Sequence, residues 1–259
     1  MVQNGCLEPG ISCVQSLYQA DLANVHATAF ETLARGAARE IVRRLQSSTV
    51  DIHKIIDVGC GAGPLTRALV DAGFDVTGVD TSAELLQIAR ANVPTAQFIH
   101  ASAYETPIPD CDAVLAAGEP LTYHSESVDA DSLVNDFFQR VADALPAGGM
   151  FIFDVIGLGE PSLANRTWLA GEDWAVLVET TEDQNDRRLI RDIQVFRRTG
   201  EAYRRSHEVH RVRLFDISIL RNKLAACGFA VETSQSYGAQ QLPPRRLAFF
   251  ATRLAAADS

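Results

Sequence analysis

The residues best spaced for chemistry are a carboxylate and three glycines in Asp57-Val58-Gly59-Cys60-Gly61-Ala62-Gly63, with a second carboxylate, Asp80, 17 positions after Gly63. Glycines this dense allow a tight turn and let a ligand approach the main chain closely. A carboxylate ending the next strand can accept hydrogen bonds from both hydroxyls of a ribose. The spacing also discriminates between ligands. A dinucleotide fingerprint, G-x-G-x-x-G, would place its third glycine at position 64, where Pro64 stands. Asp57 lies two residues before Gly59 and would oppose a pyrophosphate. It suits a ligand that carries an ammonium group and no phosphate. The plain alternatives are that the loop is only a turn and that Asp80 is an exposed strand-end residue.

A second group follows an apolar run at 113–117, in Gly118-Glu119-Pro120-Leu121-Thr122-Tyr123-His124. Glu119, Tyr123 and His124 are candidates to take a proton from a nucleophile. A partly desolvated Glu119 would have a raised pKa. It also reads as a loop acid facing solvent. Further on, Tyr203, Glu208, His210 and Arg211 crowd one extended segment. Alternation puts Glu208 and His210 on one face with Val212 and Leu214, and His210 joins the catalytic candidates. Nine arginines fall between Arg187 and Arg213, with Asp192, Glu201 and Glu208 among them. They read as a solvated sheet face or as a site for an acidic small molecule. Tyr18 and His26 are candidates to cover a bound ligand, and Phe30 is a candidate for core.

These groups need elements to position them. Residues 15–45 carry apolar side chains at helical spacing, with Gly36 as the expected break between two helices. Short β-branched or apolar runs at 54–58, 75–80, 96–100, 113–117 and 150–155 alternate with helical patterns at 64–72, 82–91 and 131–145. Such alternation indicates βαβ units and a parallel sheet. Beyond Gly159 the pattern becomes extended at 174–181, 188–196 and 202–215, separated by turn signals. A helix at 217–226 and strands at 229–233 and 247–254 close the chain. The expected organisation is an arm and helical lid over 1–49, a core over 50–159 and 215–259, and an inserted antiparallel cap over 160–214.

The composition narrows the partners. Of 259 residues, 33 are acidic and 23 are Lys or Arg, a net charge of −10, which disfavours nucleic acid. No apolar run is long enough for a membrane helix. The start, Met1 to Cys6, lacks the basic and apolar regions of a secretory signal. Five scattered cysteines without a CxxC pair fit free thiols in a reducing cytoplasm. No metal site is expected.

At these residues the chain resembles the class I S-adenosylmethionine-dependent methyltransferases. Ile55-Ile56-Asp57-Val58-Gly59-Cys60-Gly61-Ala62-Gly63 matches the family's first motif and Val79-Asp80 its ribose position. Leu145-Pro146-Ala147-Gly148-Gly149-Met150-Phe151 resembles its turn before the fifth strand. The resemblance spans about 50–156 and extends over 217–254. It implies a Rossmann-like α/β fold, a seven-stranded sheet with helices on both faces, in the order 3-2-1-4-5-7-6 with strand 7 antiparallel. It implies S-adenosyl-L-methionine as cofactor, held by Asp57, Gly59, Cys60, Gly61, Asp80, Thr81 and Gly118, with Tyr18 and His26 above. Many relatives read the adenine amino group with an Asp. Here Ser102 stands at that place, beside Ala103. Nucleic-acid amino methyltransferases resemble Asn/Asp-Pro-Pro-Tyr/Phe after strand four, a pattern that Glu119-Pro120-Leu121-Thr122-Tyr123 departs from. The expected activity is methyl transfer to a small-molecule acceptor by Glu119, Tyr123 and His210, in a monomer or homodimer. The alternatives are a nicotinamide oxidoreductase, which Pro64 and Asp57 disfavour, and a non-catalytic donor-binding protein.

Overall fold

The computed structural model describes residues 17–29, 32–123 and 130–255. The expected N-terminal arm, Phe30 and His124 lie outside the described residues. Two helices come first, α1 (Ala20–Ala29) and α2 (Thr32–Gln46). Then follow β1 (Lys54–Val58), α3 (Pro64–Asp71), β2 (Asp75–Asp80), α4 (Ala83–Asn92), β3 (Gln97–His100), β4 (Ala113–Ala116), α5 (Ala130–Ala144) and β5 (Met150–Ile156). Next are β6 (Asn165–Ala170), β7 (Trp174–Asp183), β8 (Arg188–Thr199) and β9 (Ala202–Arg213). The chain closes with α6 (Ile217–Ala226), β10 (Phe229–Ser234), the short pair β11 (Ser236–Tyr237) and β12 (Gln240–Gln241), and β13 (Arg246–Arg253).

The main sheet has the order β10-β13-β5-β4-β1-β2-β3. It is parallel except for β13, which runs antiparallel to both β5 and β10. The parallel part is the sheet expected from the alternating pattern, and the order with its one antiparallel strand is the Rossmann-like arrangement that the family resemblance implies. β4 is buried along its whole length, which is why its sequence is uninterruptedly apolar. One sheet face packs Phe137, Phe138 and Val141 of α5 and Leu220 and Leu224 of α6. The other packs Ile41 and Leu45 of α2 and Leu65 and Leu69 of α3.

β6 to β9 form a separate antiparallel sheet in sequential order, inserted between β5 and α6. Its inner face sets Val176, Ile193 and Val195 against Leu22 and Val25 of α1. Arg245 pins it to the main sheet: the guanidinium donates to Glu182 at 2.7 Å and to the Gly157 carbonyl at 2.8 Å. β6 was absent from the sequence reading. All six of its residues are exposed, so it has no alternation to read and is a strand only because its backbone pairs with β7.

Gly36 does not break the helix. It lies inside α2, where an added Cβ would stand 2.1 Å from Gln240 Oε1. It therefore serves a close approach between elements.

Gly78, in the middle of β2, links fold to site. A Cβ there would lie 2.7 Å from the Phe98 ring and 2.8 Å from Cys60 Sγ, within the glycine loop. Overpacking of this kind costs about 1–3 kcal/mol. Gly78→Ala is expected to lower the urea-unfolding free energy by that amount. An unchanged midpoint would show that the loop can move away freely.

Candidate active site

A cavity of about 740 Å³ opens between the ends of the main-sheet strands, the N-terminal segment and the inner face of the second sheet. Its floor is the loop after β1. Gly59, Gly61 and Gly63 take φ of 69°, 55° and 84°, the left-handed region that disfavours side chains. A Cβ on Gly59 would stand 2.3 Å from the Pro120 side chain, whereas one on Gly61 would meet nothing within 4 Å. Gly59 thus lets the loop after β4 pack against this turn, and Gly61 leaves its backbone open to the cavity.

The two carboxylates flank this turn. Asp80 accepts from the Gly61 and Ser82 amides at 2.9 and 2.8 Å, which leaves acceptor capacity on both oxygens. Burial pushes its pKa up, against the pull of those bonds. Asp57 is 1% exposed and accepts from Thr66 Oγ1 at 2.6 Å. Burial raises its pKa to about 7. Cys60, Thr81, Ser102 and Ala103 line the same end of the cavity. Ser102 Oγ already accepts from the Tyr104 amide at 3.2 Å.

The loop after β4 is the second wall. Gly118 and Glu119 both have left-handed backbones, φ 99° and 61°. For glutamate this costs of order 1–3 kcal/mol and needs an external hold. Asp154, at the end of β5 and fully buried, supplies it. Its carboxylate accepts from the Gly118 amide at 2.9 Å, the Glu119 amide at 3.2 Å, the Tyr237 hydroxyl at 2.9 Å and Arg246 Nε at 2.5 Å.

The Glu119 side chain meets Arg191, on β8 of the second sheet, with Nη1 to Oε1 at 2.5 Å. Its other oxygen is 3.9 Å from Arg246 Nη1. This corrects the raised pKa expected from sequence. Burial alone would raise it, but the Arg191 and Arg246 guanidiniums outweigh burial and hold the carboxyl below its ordinary value. Glu119 is neither solvent-facing nor poised to take up protons near neutrality.

The N-terminal segment forms the third wall. The Tyr18 and Gln19 amides donate to Glu208 on β9 at 2.8 and 2.9 Å. The Tyr18 carbonyl accepts from Ser82 Oγ at 3.0 Å. Tyr18 and His26 both line the cavity, with ring centroids 4.9 Å apart. Burial, and then His210, lower the His26 pKa to about 4. Tyr123 lines the cavity and its hydroxyl accepts from Arg191 Nη1 at 3.3 Å. His210 is not among the lining residues. It pairs with Glu208 at 2.9 Å, and its ring contacts those of Tyr18 and Tyr123 at 5.0 and 5.9 Å. Tyr203 is 56% exposed and stands apart from the cavity. Most of the arginine-rich stretch is at least part-exposed, but Arg191 faces inward. Arg191, Arg246, Asp154 and Tyr237 were missed. The only usable signals were period-2 alternation for Arg191 and the polar Asp154 within an apolar strand.

Comparison with known proteins fits this geometry. A family described as "Methyltransferase domain" matches residues 55–149. The putative methyltransferase YqeM of Bacillus subtilis is 28% identical over 193 residues, covering 71% of this chain and 76% of that protein. An S-adenosylmethionine-dependent methyltransferase from Clostridium acetobutylicum superposes with a TM-score of 0.75 at 20% identity, over 90% of this chain and 99% of that one. The chain carries a methyltransferase domain over residues 55–149, on the fold of the S-adenosylmethionine-dependent methyltransferases. CalS10, an amino pentose methyltransferase from Micromonospora echinaspora with S-adenosylmethionine bound, superposes with a TM-score of 0.71 at 17% identity, covering 88% and 96% of the two chains. The residues suit S-adenosylmethionine: an open backbone at Gly61, spare acceptors on Asp80, and a buried Asp57 that a cation would return to its ionised form. Among the described residues no cluster of His, Cys, Asp and Glu could hold a metal, and no helix is long and apolar enough to cross a membrane.

Two outcomes follow for this site. Asp154→Ala leaves the buried Arg246 with only its 3.9 Å contact to Glu119, a loss of about 3–5 kcal/mol, to be read in chemical denaturation. Asp57 ionises near pH 4 in the unfolded chain and at about 7 in the folded one. The folded state therefore holds a proton that the unfolded state has released, so this group's contribution to stability falls as pH rises through that interval. Without donor, Asp57→Asn is expected to remove that fall from the stability–pH profile. Parallel profiles for the two proteins would remove Asp57 as its source.

Proposed function

We propose that the enzyme transfers the methyl group of S-adenosylmethionine to a small molecule held between the main sheet and the second sheet. The observation that carries this is the continuity of the cavity. It runs from Gly61 and Asp80 to Asn165, Thr180 and Arg191 on the inner face of β6 to β8. A compartment of this size suits a metabolite, and the net charge of −10 opposes nucleic acid. The amino pentose named for CalS10 supports an acceptor of this size.

In this reading residues 50–159 and 215–259 form the donor-binding core. Residues 1–49 act as arm and lid, and 160–214 as cap. Asp57, Gly59, Cys60, Gly61, Asp80, Thr81, Ser102, Ala103 and Gly118 hold the donor, with Tyr18 and His26 closing over it. The bound donor supplies an electrophilic methyl carbon on a sulfonium. The chain's own task is to hold the acceptor's lone pair in line and exclude water, which can supply most of the rate. Glu119, kept ionised, receives a hydrogen-bond donor or ammonium of the acceptor rather than abstracting a proton. Tyr123 shapes the pocket beside it, and His210 positions Tyr18 and Tyr123.

Donor and its demethylated product should raise the melting temperature by mass action, and NAD should not. Asp80→Ala should weaken donor affinity by roughly 1.5–3 kcal/mol in calorimetry; unchanged affinity would remove it from the site. With an acceptor found by screening metabolites against labelled donor, Glu119→Gln should lose roughly 10–100-fold in turnover. Donor affinity should stay near wild type. A turnover within a few-fold of wild type would take Glu119 out of the acceptor site.

A further inference from the structure

At the end of the cavity away from the glycine loop, the guanidiniums have more donors than the protein uses. Arg191 commits Nη1 to Glu119 and Tyr123. Among the described residues its Nε and Nη2 make no hydrogen bond, and its side chain, 24% exposed, lines the cavity. Arg246 also lines the cavity and is 12% exposed. It commits Nε to Asp154, while its Nη2 is buried with no acceptor. Buried donors are almost always satisfied, and one that is not points to an absent partner.

The surroundings define that partner. Asn165, Thr180 and Arg191 occupy one cross-strand row on the inner face of the second sheet, and all three line the cavity. Each offers an N–H or O–H donor. The other lining acids, Asp57 and Asp80, stand at the glycine loop. Glu119 and Asp154 balance the two guanidinium charges, so this end is neutral in itself. The donor's sulfonium adds a positive charge, which an anionic acceptor would offset. The free edge of a guanidinium, two donors in a plane, matches two oxygens of one oxyanion.

We infer that the acceptor molecule carries an oxyanion, a carboxylate or phosphate, that docks on the free edge of Arg191 beside Asn165 and Thr180. This rests on the small-molecule reading above and names the class of molecule. Glu119 Oε2, buried and without a hydrogen-bond donor, then takes a hydrogen-bond donor from the same ligand.

The test is calorimetric titration of the protein saturated with S-adenosylhomocysteine. The probes are succinate, glycerol phosphate and, as a neutral control, glycerol, all at millimolar concentration. At least one oxyanion is expected to bind and glycerol is not; which of the two binds tells carboxylate from phosphate. Arg191→Gln should weaken that binding by about 10–100-fold. Because this substitution leaves Glu119 with only the 3.9 Å contact to Arg246, the double variant Glu119→Gln/Arg191→Gln is measured beside it, with S-adenosylhomocysteine affinity as the check on folding. No oxyanion binding, or binding that persists unchanged in the double variant, overturns the inference. The methyltransferase's small-molecule reading fails separately, if no small molecule accepts label from the donor.

Discussion

The Asp154 carboxylate is the constraint on which the site depends. It is fully buried at the end of β5 and gathers four donors from three segments of chain: two amides of the loop after β4, the Tyr237 hydroxyl and the Arg246 guanidinium. A buried charge is tolerable only when paired and hydrogen-bonded, and Asp154 meets that condition only in this arrangement. The backbone of Gly118 and Glu119 is thereby held left-handed. Pro120 is then set against Gly59, so the loop after β4 and the glycine loop after β1 fix each other. The two loops are one mechanical unit.

A second layer of ionic contacts joins that unit to the inserted sheet. Arg191 crosses from β8 to Glu119, and Arg245 ties the start of β13 to Glu182 on β7. The N-terminal segment is held from both sides, by Glu208 of the inserted sheet and by Ser82 at the start of α4. Asp21 of α1 adds a pair with Arg204 at 2.5 Å. Each of these contacts joins two of the segments that wall the cavity. The walls are therefore joined largely by directional, charge-assisted bonds, with apolar packing of α1 on the second sheet behind them. Such bonds specify geometry more than they add stability.

The division of charge within the cavity follows. Asp57 and Asp80 stand at the glycine loop and Arg191 and Arg246 at the far end, with Glu119 between the guanidiniums. Burial acts on all of these groups in the direction that disfavours charge, yet with different outcomes. Asp57 has no cation beside it and its pKa rises to about 7. Glu119 has two and its pKa falls. The same residue chemistry takes opposite protonation behaviour from its neighbours alone.

The sequence alone determined what depends on local pattern. The alternation of short apolar strands with helices, the three glycines after β1, Asp80 at the end of β2 and the shift to extended segments after Gly159 are periodic or contiguous signals. The parallel core of the main sheet and the second antiparallel sheet follow from them, and the strand order follows from the resemblance to the methyltransferase family. Only the tertiary structure decided the surroundings of Glu119. Arg191 lies 72 residues from Glu119, and Arg246 lies 92 from Asp154, so no spacing rule connects them. Arg191 looks like the other eight arginines of its stretch until strand register and the cavity wall choose its place. Glu119 read as a carboxylate with a raised pKa because its loop context was visible and its cationic partners were not. β6 escaped for a related reason: an exposed edge strand is defined by its partner's backbone, not by its own side chains.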